Sequence, residues 1–443
     1  MNKTVIKYPY LTEPIEIYTR ENGHKIVLAH KEGELVNVSS WVKTGSINED
    51  DTNNGISHFL EHLMFKGTKR FKVGEFDRIL ESKGGIVNAA TWKDYTFYYV
   101  TLPKGKNDEN LYLAIDLHSD MMTGIVLPEE EIGAPFDLND KTVTDKRERH
   151  VVIEEIRMRK DQNWTKVYNN CNHNMYTNHP YKRDVIGTPE IISQVSRDEI
   201  MNYYKTHYTP ENITTIVVGD FDKEKVLDAV IQGFKFENTI QAPKRENITD
   251  KPVQETKIVE EVTNTDSTYI MFGWLGAKAI EHKENLLLSL TSIILGGGTS
   301  SRLYRKLIEQ QTEPIVYYVE AYDYNFKDGG NFFIQVNCRP DKKDEVIEMI
   351  KSELEGLLTN KITDKELKKA KKQIKTIFAE HAETVSEIGD TIGYNMTVVG
   401  NLDGVANYIK LVDEISIEDI ENAIKKYLSI NNAVISILTP ESI

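Results

Sequence analysis

Apolar positions at alternate spacing open the chain. Ile15, Ile17 and Tyr18, then Ile26 and Leu28, then Val36, Val38 and Trp41 predict strands over 15–31 and 35–44, punctuated by Gly23 and Glu32-Gly33. The period then changes. Ile56, Phe59, Leu60 and Leu63 form one stripe of a helix inside Asn54–Thr68, with Asp51, Thr52 and Asn53 as candidate caps and Gly67 as its stop. Phe71–Ser82 predicts a second helix ended by Gly84-Gly85, and Ile86–Leu102 is strand-like. Helices are expected over Leu111–Met122, over the densely charged Lys141–Lys160 and over Ser196–His207, followed by a buried strand at Ile213–Val218.

The second half repeats this order. Val195–Ile200 pairs with Ile415–Ile420, Asn212–Val218 with Asn432–Leu438, Val143–Lys146 with Ile362–Lys365, and Asn54–Thr68 with Asn285–Thr299. Four weak pairings in one order predict two homologous α/β domains, an α+β chain with an internal repeat. The expected division is 1–240, a polar linker 241–256, and 257–443.

Composition narrows the function classes. At 443 residues the chain is too long for one ordinary core. With 40% hydrophobic and 28% charged residues it has a globular balance, and no apolar run approaches a membrane span. A formal charge of −15 argues against a nucleic-acid partner. The first residues have neither the apolar core of a signal peptide nor an Arg-rich transit pattern, so a cytoplasmic protein is expected. Cys171 and Cys338 lack metal or disulfide spacing and are expected to be buried apolar residues.

The polar side of the 54–68 helix carries the chemistry. His58, Glu61, His62 and Phe65 lie at i, i+3, i+4 and i+7, on one face. Two imidazoles one turn apart suit one zinc ion, and a carboxylate beside them can serve as base toward a water; the order H-x-x-E-H is the inverzincin motif. The same residues would also suit an exposed polar face, and a third ligand is required. In the repeat overlay they stand opposite Ser289, Ser292 and Ile293, so the fold does not need them. Within Lys146–Ile156, Glu148 and Glu155 share a helical face with Val151 and Val152, whereas Glu154 points about 100° away. These could be ordinary surface carboxylates on a charged helix. Beside the first motif, with Ile374 opposite it in the second half, Glu155 becomes the favoured third ligand.

H-x-x-E-H followed by a distal E-x6-E resembles the M16 metallopeptidases, the family of pitrilysin, insulin-degrading enzyme and the mitochondrial processing peptidase. His58–Thr68 looks most like the processing-peptidase branch (M16B). Gly84–Thr91, Pro180–Thr188 and Ser300–Arg305 are similar to further stretches of that family. The resemblance implies a LuxS/metallopeptidase-like fold with a metal site only in the N-terminal domain, and one Zn2+ per chain on His58, His62 and Glu155. It implies Glu61 as general base and Glu148 as the carboxylate supporting the site. Asn88, Ala89 and Ala90 would lie on an edge strand that takes the substrate as an added strand, and Phe65 would touch substrate. It also implies pairing of two such chains, as a homodimer or with an M16 homologue.

Two departures from the family pattern stand out. The interval from His62 to Glu155 is longer than usual, with the surplus expected in the loop-like Gly133–Thr142. The second-domain arginine and tyrosine that the family often supplies to the transition state are out of register: Gln310 stands seven before Tyr317, which leaves Arg302 and Tyr317 as the candidates.

The expected function is a zinc endopeptidase acting on peptides or unfolded segments held in a closed chamber. Two rivals are a non-catalytic partner subunit of the same fold, which would be expected to have lost ligands, and a zinc hydrolase of a non-peptide bond, which a peptide digest would separate.

Overall fold

The computed structural model describes the whole chain except residues 141, 143–146, 238–240, 244, 246, 247, 360, 442 and 443. The proposed pairing of Val143–Lys146 with Ile362–Lys365 and the boundary at 240 therefore fall outside, or end outside, the described residues.

Residues with alternating or continuous apolar character build two sheets. The first holds β1 (Asn2–Ile6), β2 (Ile15–Thr19), β3 (Lys25–His30), β4 (Leu35–Val42), β5 (Ile86–Thr91), β6 (Thr96–Pro103) and β7 (Ile213–Gly219), in the order β1-β2-β3-β7-β4-β6-β5. The second holds β8 (Lys257–Thr263), β9 (Thr268–Gly276), β10 (Val316–Asn325), β11 (Gly330–Cys338) and β12 (Val434–Pro440), in the order β10-β11-β9-β12-β8. Read from the other end, the second sheet repeats β3-β7-β4-β6-β5. In both, one parallel pair (β3 with β7, β8 with β12) is followed by antiparallel neighbours. β1 and β2 extend the first sheet alone. The repeat and the α+β class expected from the sequence are thus borne out.

Local chemistry repeats as well. Ser196 caps the helix Arg197–His207 in a reciprocal box with Glu199, and Ser416 caps Ile417–Tyr427 in the same way with Asp419. Each of these helices leads into an interior strand of its sheet, β7 or β12.

The compact units are not the contiguous halves expected from the sequence. One comprises Met1–Arg157, Arg183–Glu246 and Ala379–Ala406; the other comprises Met158–Lys182, Asn247–Phe378 and Asn407–Ile443. Within the first, the helix Val385–Tyr394 lies on β4 and β7. A Cβ at Gly393 would stand 2.0 Å from Trp41 Cε2, and one at Gly389 would stand 2.8 Å from Asn37 Oδ1. Within the second, the helix Asn163–Met175 lies on β9 and β12, where a Cβ at Gly273 would stand 2.5 Å from Cys171 Sγ and from Met175 Sδ. Each half of the chain gives a helical segment to the other's unit, and glycine where the helix meets the sheet gives the close approach. No break in composition marks such an exchange.

Strands 15–31 and 86–102 each divide into a hairpin. Gly23 at φ +88° turns β2 into β3, and Trp92 N–H donates to Tyr95 O between β5 and β6. The helix expected from Phe71 starts at Glu75, and the one expected from Lys141 is observed as Glu148–Lys160. Cys171 and Cys338 are free and buried, as expected. Among the described residues no helix is long and apolar enough to cross a membrane.

Candidate active site

The motif helix is observed as Ile56–Leu63, with Ile56, Phe59, Leu60 and Leu63 in the first unit's core. Its start corrects the sequence reading, because Asp51, Thr52 and Asn53 do not cap it. Gly55, at φ +97°, is the N-cap residue, and the buried carboxylate of Glu49 accepts from Gly55 N, Ser57 N and Asn54 Nδ2, each at 2.8 Å. Negative charge there also opposes the positive end of the helix dipole. Burial nevertheless raises the Glu49 pKa. Nothing in local spacing identifies a cap that reaches forward from six and eight residues upstream.

The helix start is wedged by the segment Arg183–Thr188, part of the stretch that resembled the family. Asn54 Nδ2 donates to Asp184 O at 2.9 Å, Arg183 Nη1 to Glu49 O at 2.7 Å, and Lys93 Nζ to Arg183 O at 3.1 Å. Gly55 and Gly187 face one another so closely that a Cβ on Gly187 would lie 2.6 Å from Gly55 Cα. The helix also ends one turn before Gly67, at Leu63.

On this helix His58 and His62 stack edge to face, ring centroids 4.8 Å apart. The distal helix Glu148–Lys160 brings Glu155 to them: its Oε2 lies 3.7 Å from His58 Nε2 and 3.4 Å from His62 Nε2. One donor atom from each of the three lies within 4.8 Å of the others. Two donors bound at about 2.0–2.1 Å to one tetrahedral zinc stand roughly 3.4 Å apart, so the spacing fits. Two imidazoles and a carboxylate are also the donor set of zinc sites that keep a coordination position open. Glu154, one residue earlier, is exposed and pairs with Arg157 at 2.5 Å.

Behind the candidate ligands stands a chain of charged groups that the sequence reading only half contained. Glu148 Oε2 accepts from His62 Nδ1 at 3.2 Å, and its Oε1 pairs with Lys66 Nζ at 2.6 Å. Burial alone would raise Glu148, but the bonds from His62 and Lys66 outweigh it and hold its pKa below the usual glutamate value. For His62, burial pulls downward. The bonds to Glu148 and Glu155 and the charge of Glu61 overcome that and bring it to about 9. A cation taken up here therefore displaces a proton. Lys66, one turn after His62, was missed; its i+4 spacing was the available signal.

Glu61 is held from the strand side. Thr91 Oγ1, at the end of β5, donates to Glu61 Oε2 at 2.6 Å. β5 is the terminal strand of its sheet; Asn88 and Ala90 are exposed and Ala89 is half-buried. Phe65 is partly buried, its ring centroid 6.1 Å from that of Tyr98 and 6.2 Å from that of Phe76.

The surplus interval is ordered around Arg149. Its buried guanidinium donates to the carbonyls of Gly133, Ile192 and Val195, and Phe136 stacks on His150 at 4.3 Å. Residues 133–140 are loop, as expected, and dock beside the helix Pro189–Ile192, where Phe136 N donates to Ser193 O at 3.2 Å; residue 141 of the expected segment lies outside the described residues.

The second unit holds the remaining candidates. Ser289, opposite His58 in the repeat, donates to Asp323 Oδ2 at 3.1 Å, and Ile374, opposite Glu155, lies in the apolar core. Tyr317 is 57% exposed on the edge strand β10, where the register shifts between Val316 and Tyr318. Arg302 forks onto Glu366, Nε to Oε1 at 2.6 Å and Nη2 to Oε2 at 3.0 Å, and reaches Lys361 O at 3.3 Å. Burial would raise Glu366, but Arg302 and the Thr363 donors bring it to about 2.

That stability is present above the unfolded value near 4.5 and is lost as pH falls toward 2. Arg302→Met is therefore expected to cost about 2 kcal/mol at neutral pH. The gap from wild type, followed by chemical denaturation, should close between pH 4.5 and 2, and at neutral pH the zinc content of the variant should equal that of wild type. A kcat loss with no stability loss would instead make Arg302 a catalytic group.

Comparison with known proteins gives the same division of labour. Residues 25–189 match the family model described as Insulinase (Peptidase family M16), and residues 194–374 match Peptidase M16 inactive domain. The chain is 27% identical over 427 residues to the "Uncharacterized zinc protease YmxG" of Bacillus subtilis, covering 96% of this chain and 98% of that one. It is 27% identical over 436 residues to the "Zinc protease PqqE" of Helicobacter pylori, covering 96% and 93%. The crystal structure of a protease from Helicobacter pylori superposes with a TM-score of 0.82 at 26% identity, covering 99% of this chain and all of that one. With a cluster of candidate metal ligands in the first half and, among the described residues, no such cluster in the second, the chain belongs to the M16 peptidase family.

Proposed function

We propose that the chain is a zinc-dependent endopeptidase that cuts extended peptide or unfolded segments laid along the open edge of β5. The observation that carries this reading is the convergence of His58, His62 and Glu155 within 4.8 Å, with Glu61 on the same helix face. A zinc ion held by these three side chains would acidify a water and polarise the scissile carbonyl. Glu61 takes the proton from that water and returns it to the leaving amine. Glu148 and Lys66 orient His62, and the main chain of Asn88–Ala90 binds the substrate backbone without demanding a particular sequence. Relatives named zinc proteases support the class. A non-catalytic subunit would have no need of the complete ligand set and its supporting carboxylate.

The test is a peptide-library digest before and after chelation. Cleavage of extended peptides should fall at least about 100-fold when metal is stripped and return with one equivalent of zinc, while compact folded proteins resist. Cleavage that survives stripping, or hydrolysis confined to non-peptide bonds, would remove the reading.

A further inference from the structure

Glu61 is a flexible side chain near the end of a helix, yet a general base must aim one oxygen at one water. We propose that Thr91 is the positioning residue for Glu61, so that the strand receiving the substrate also sets the base. The inference rests on the peptidase reading above.

Along β5 successive side chains alternate between faces. Ile86, Asn88 and Ala90 are exposed, whereas Val87 and Ala89 pack on the core and Thr91, 9% exposed, closes the buried row. That row faces the motif helix. Thr91 is β-branched and stiff about χ1, and its backbone is fixed by pairing with Thr96 across the hairpin. Its hydroxyl has one proton, and the 2.6 Å contact places it on Glu61 Oε2. The neighbouring hydroxyl does not compete for that oxygen: Thr96 Oγ1 donates to Thr44 O at 2.9 Å and lies 3.5 Å from Thr91 Oγ1.

A bond to one carboxylate oxygen restricts the rotation of the group and so narrows the directions in which the base can present itself to a reacting water. A neutral donor does this without neutralising the base, as an arginine or lysine would. The last exposed residue of the proposed substrate edge, Ala90, directly precedes Thr91. A peptide that pairs along Asn88–Ala90 therefore steadies the residue that steadies the base.

The test compares Thr91→Val, which keeps shape and branching, with Thr91→Ser, which keeps the hydroxyl, in the full zinc-loaded chain. Losing a hydrogen bond to a charged group predicts that Thr91→Val lowers kcat about 10- to 100-fold with KM within about twofold, and that Thr91→Ser stays within about threefold of wild type. Zinc stoichiometry and thermal midpoint should match wild type. In a Glu61→Gln background Thr91→Val should cause no further loss, because the two act as one unit. A Thr91→Val kcat within twofold of wild type, an equal loss in the Glu61→Gln background, or loss of bound zinc would overturn the proposal. If Glu61→Gln is inactive while Thr91→Val is fully active, only this inference fails; if Glu61→Gln cleaves like wild type, the peptidase reading fails with it.

Discussion

Glu61→Gln should retain one zinc per chain and lose peptide cleavage by about 10²–10⁴-fold, the range a positioned general base contributes. The substitution keeps the length of the side chain and its place on the Ile56–Leu63 helix, and an amide oxygen can still accept from Thr91. It removes only the capacity to hold a proton. Glu61 is not among the three side chains whose donor atoms converge, so metal content and proton transfer should separate cleanly. The measurement pairs zinc analysis by mass spectrometry with steady-state cleavage of an extended peptide. Cleavage at the wild-type rate with zinc bound would show that another group is the base, and the site would have to be reassigned. Loss of zinc would instead place Glu61 among the ligands.

The convergence of the candidate metal ligands was legible because its geometry is largely local. His58, Glu61 and His62 are fixed relative to one another by helix spacing, and Glu148 and Glu155 by two turns of a second helix. The repeat added the contrast: Ser289 and Ile374 occupy the matching positions, one bonded to a sheet carboxylate and the other sunk in the core. The repeat was legible for the same reason: the paired segments Val195–Ile200 and Ile415–Ile420 hold the two capping boxes that start corresponding helices, whereas the strand order was not legible. What the sequence hid depends on long-range contact. Glu49 caps from an extended position outside the helix, and Thr91 reaches Glu61 across thirty residues of chain. The crossing of Val385–Tyr394 into the first unit leaves only glycines, and glycines in a helix have many causes. Arg302 was singled out by its place in a family-like stretch; its fork onto Glu366 became visible only when the loop before the helix Asp364–Glu380 was in place.

Glu155→Gln is expected to weaken zinc binding by at least about 100-fold, while Glu154→Gln leaves it unchanged. The two residues adjoin in sequence but differ by about 100° around the helix, so the pair tests the register of the whole distal helix and not only one side chain. Glu155 presents Oε2 at 3.4 and 3.7 Å from the two imidazoles; Glu154 lies outside, exposed and paired with Arg157. An amide at 155 keeps an oxygen donor but removes the negative charge, leaving two neutral imidazoles against a divalent cation. Loss of even a supporting carboxylate costs about 10- to 100-fold in comparable sites, so loss of a charged ligand should cost at least the upper figure. Competition with a chromophoric chelator at fixed pH reads the affinity directly, and the pH must be held because uptake displaces the His62 proton. Glu155→Gln should lose cleavage through lost metal and regain part of it at high zinc. That recovery is what separates it from Glu61→Gln, whose defect no zinc concentration repairs. Should Glu154→Gln be the variant that loses zinc, the distal helix is turned by one residue, and the carboxylate chain from Lys66 through Glu148 to His62 would have to be redrawn with it.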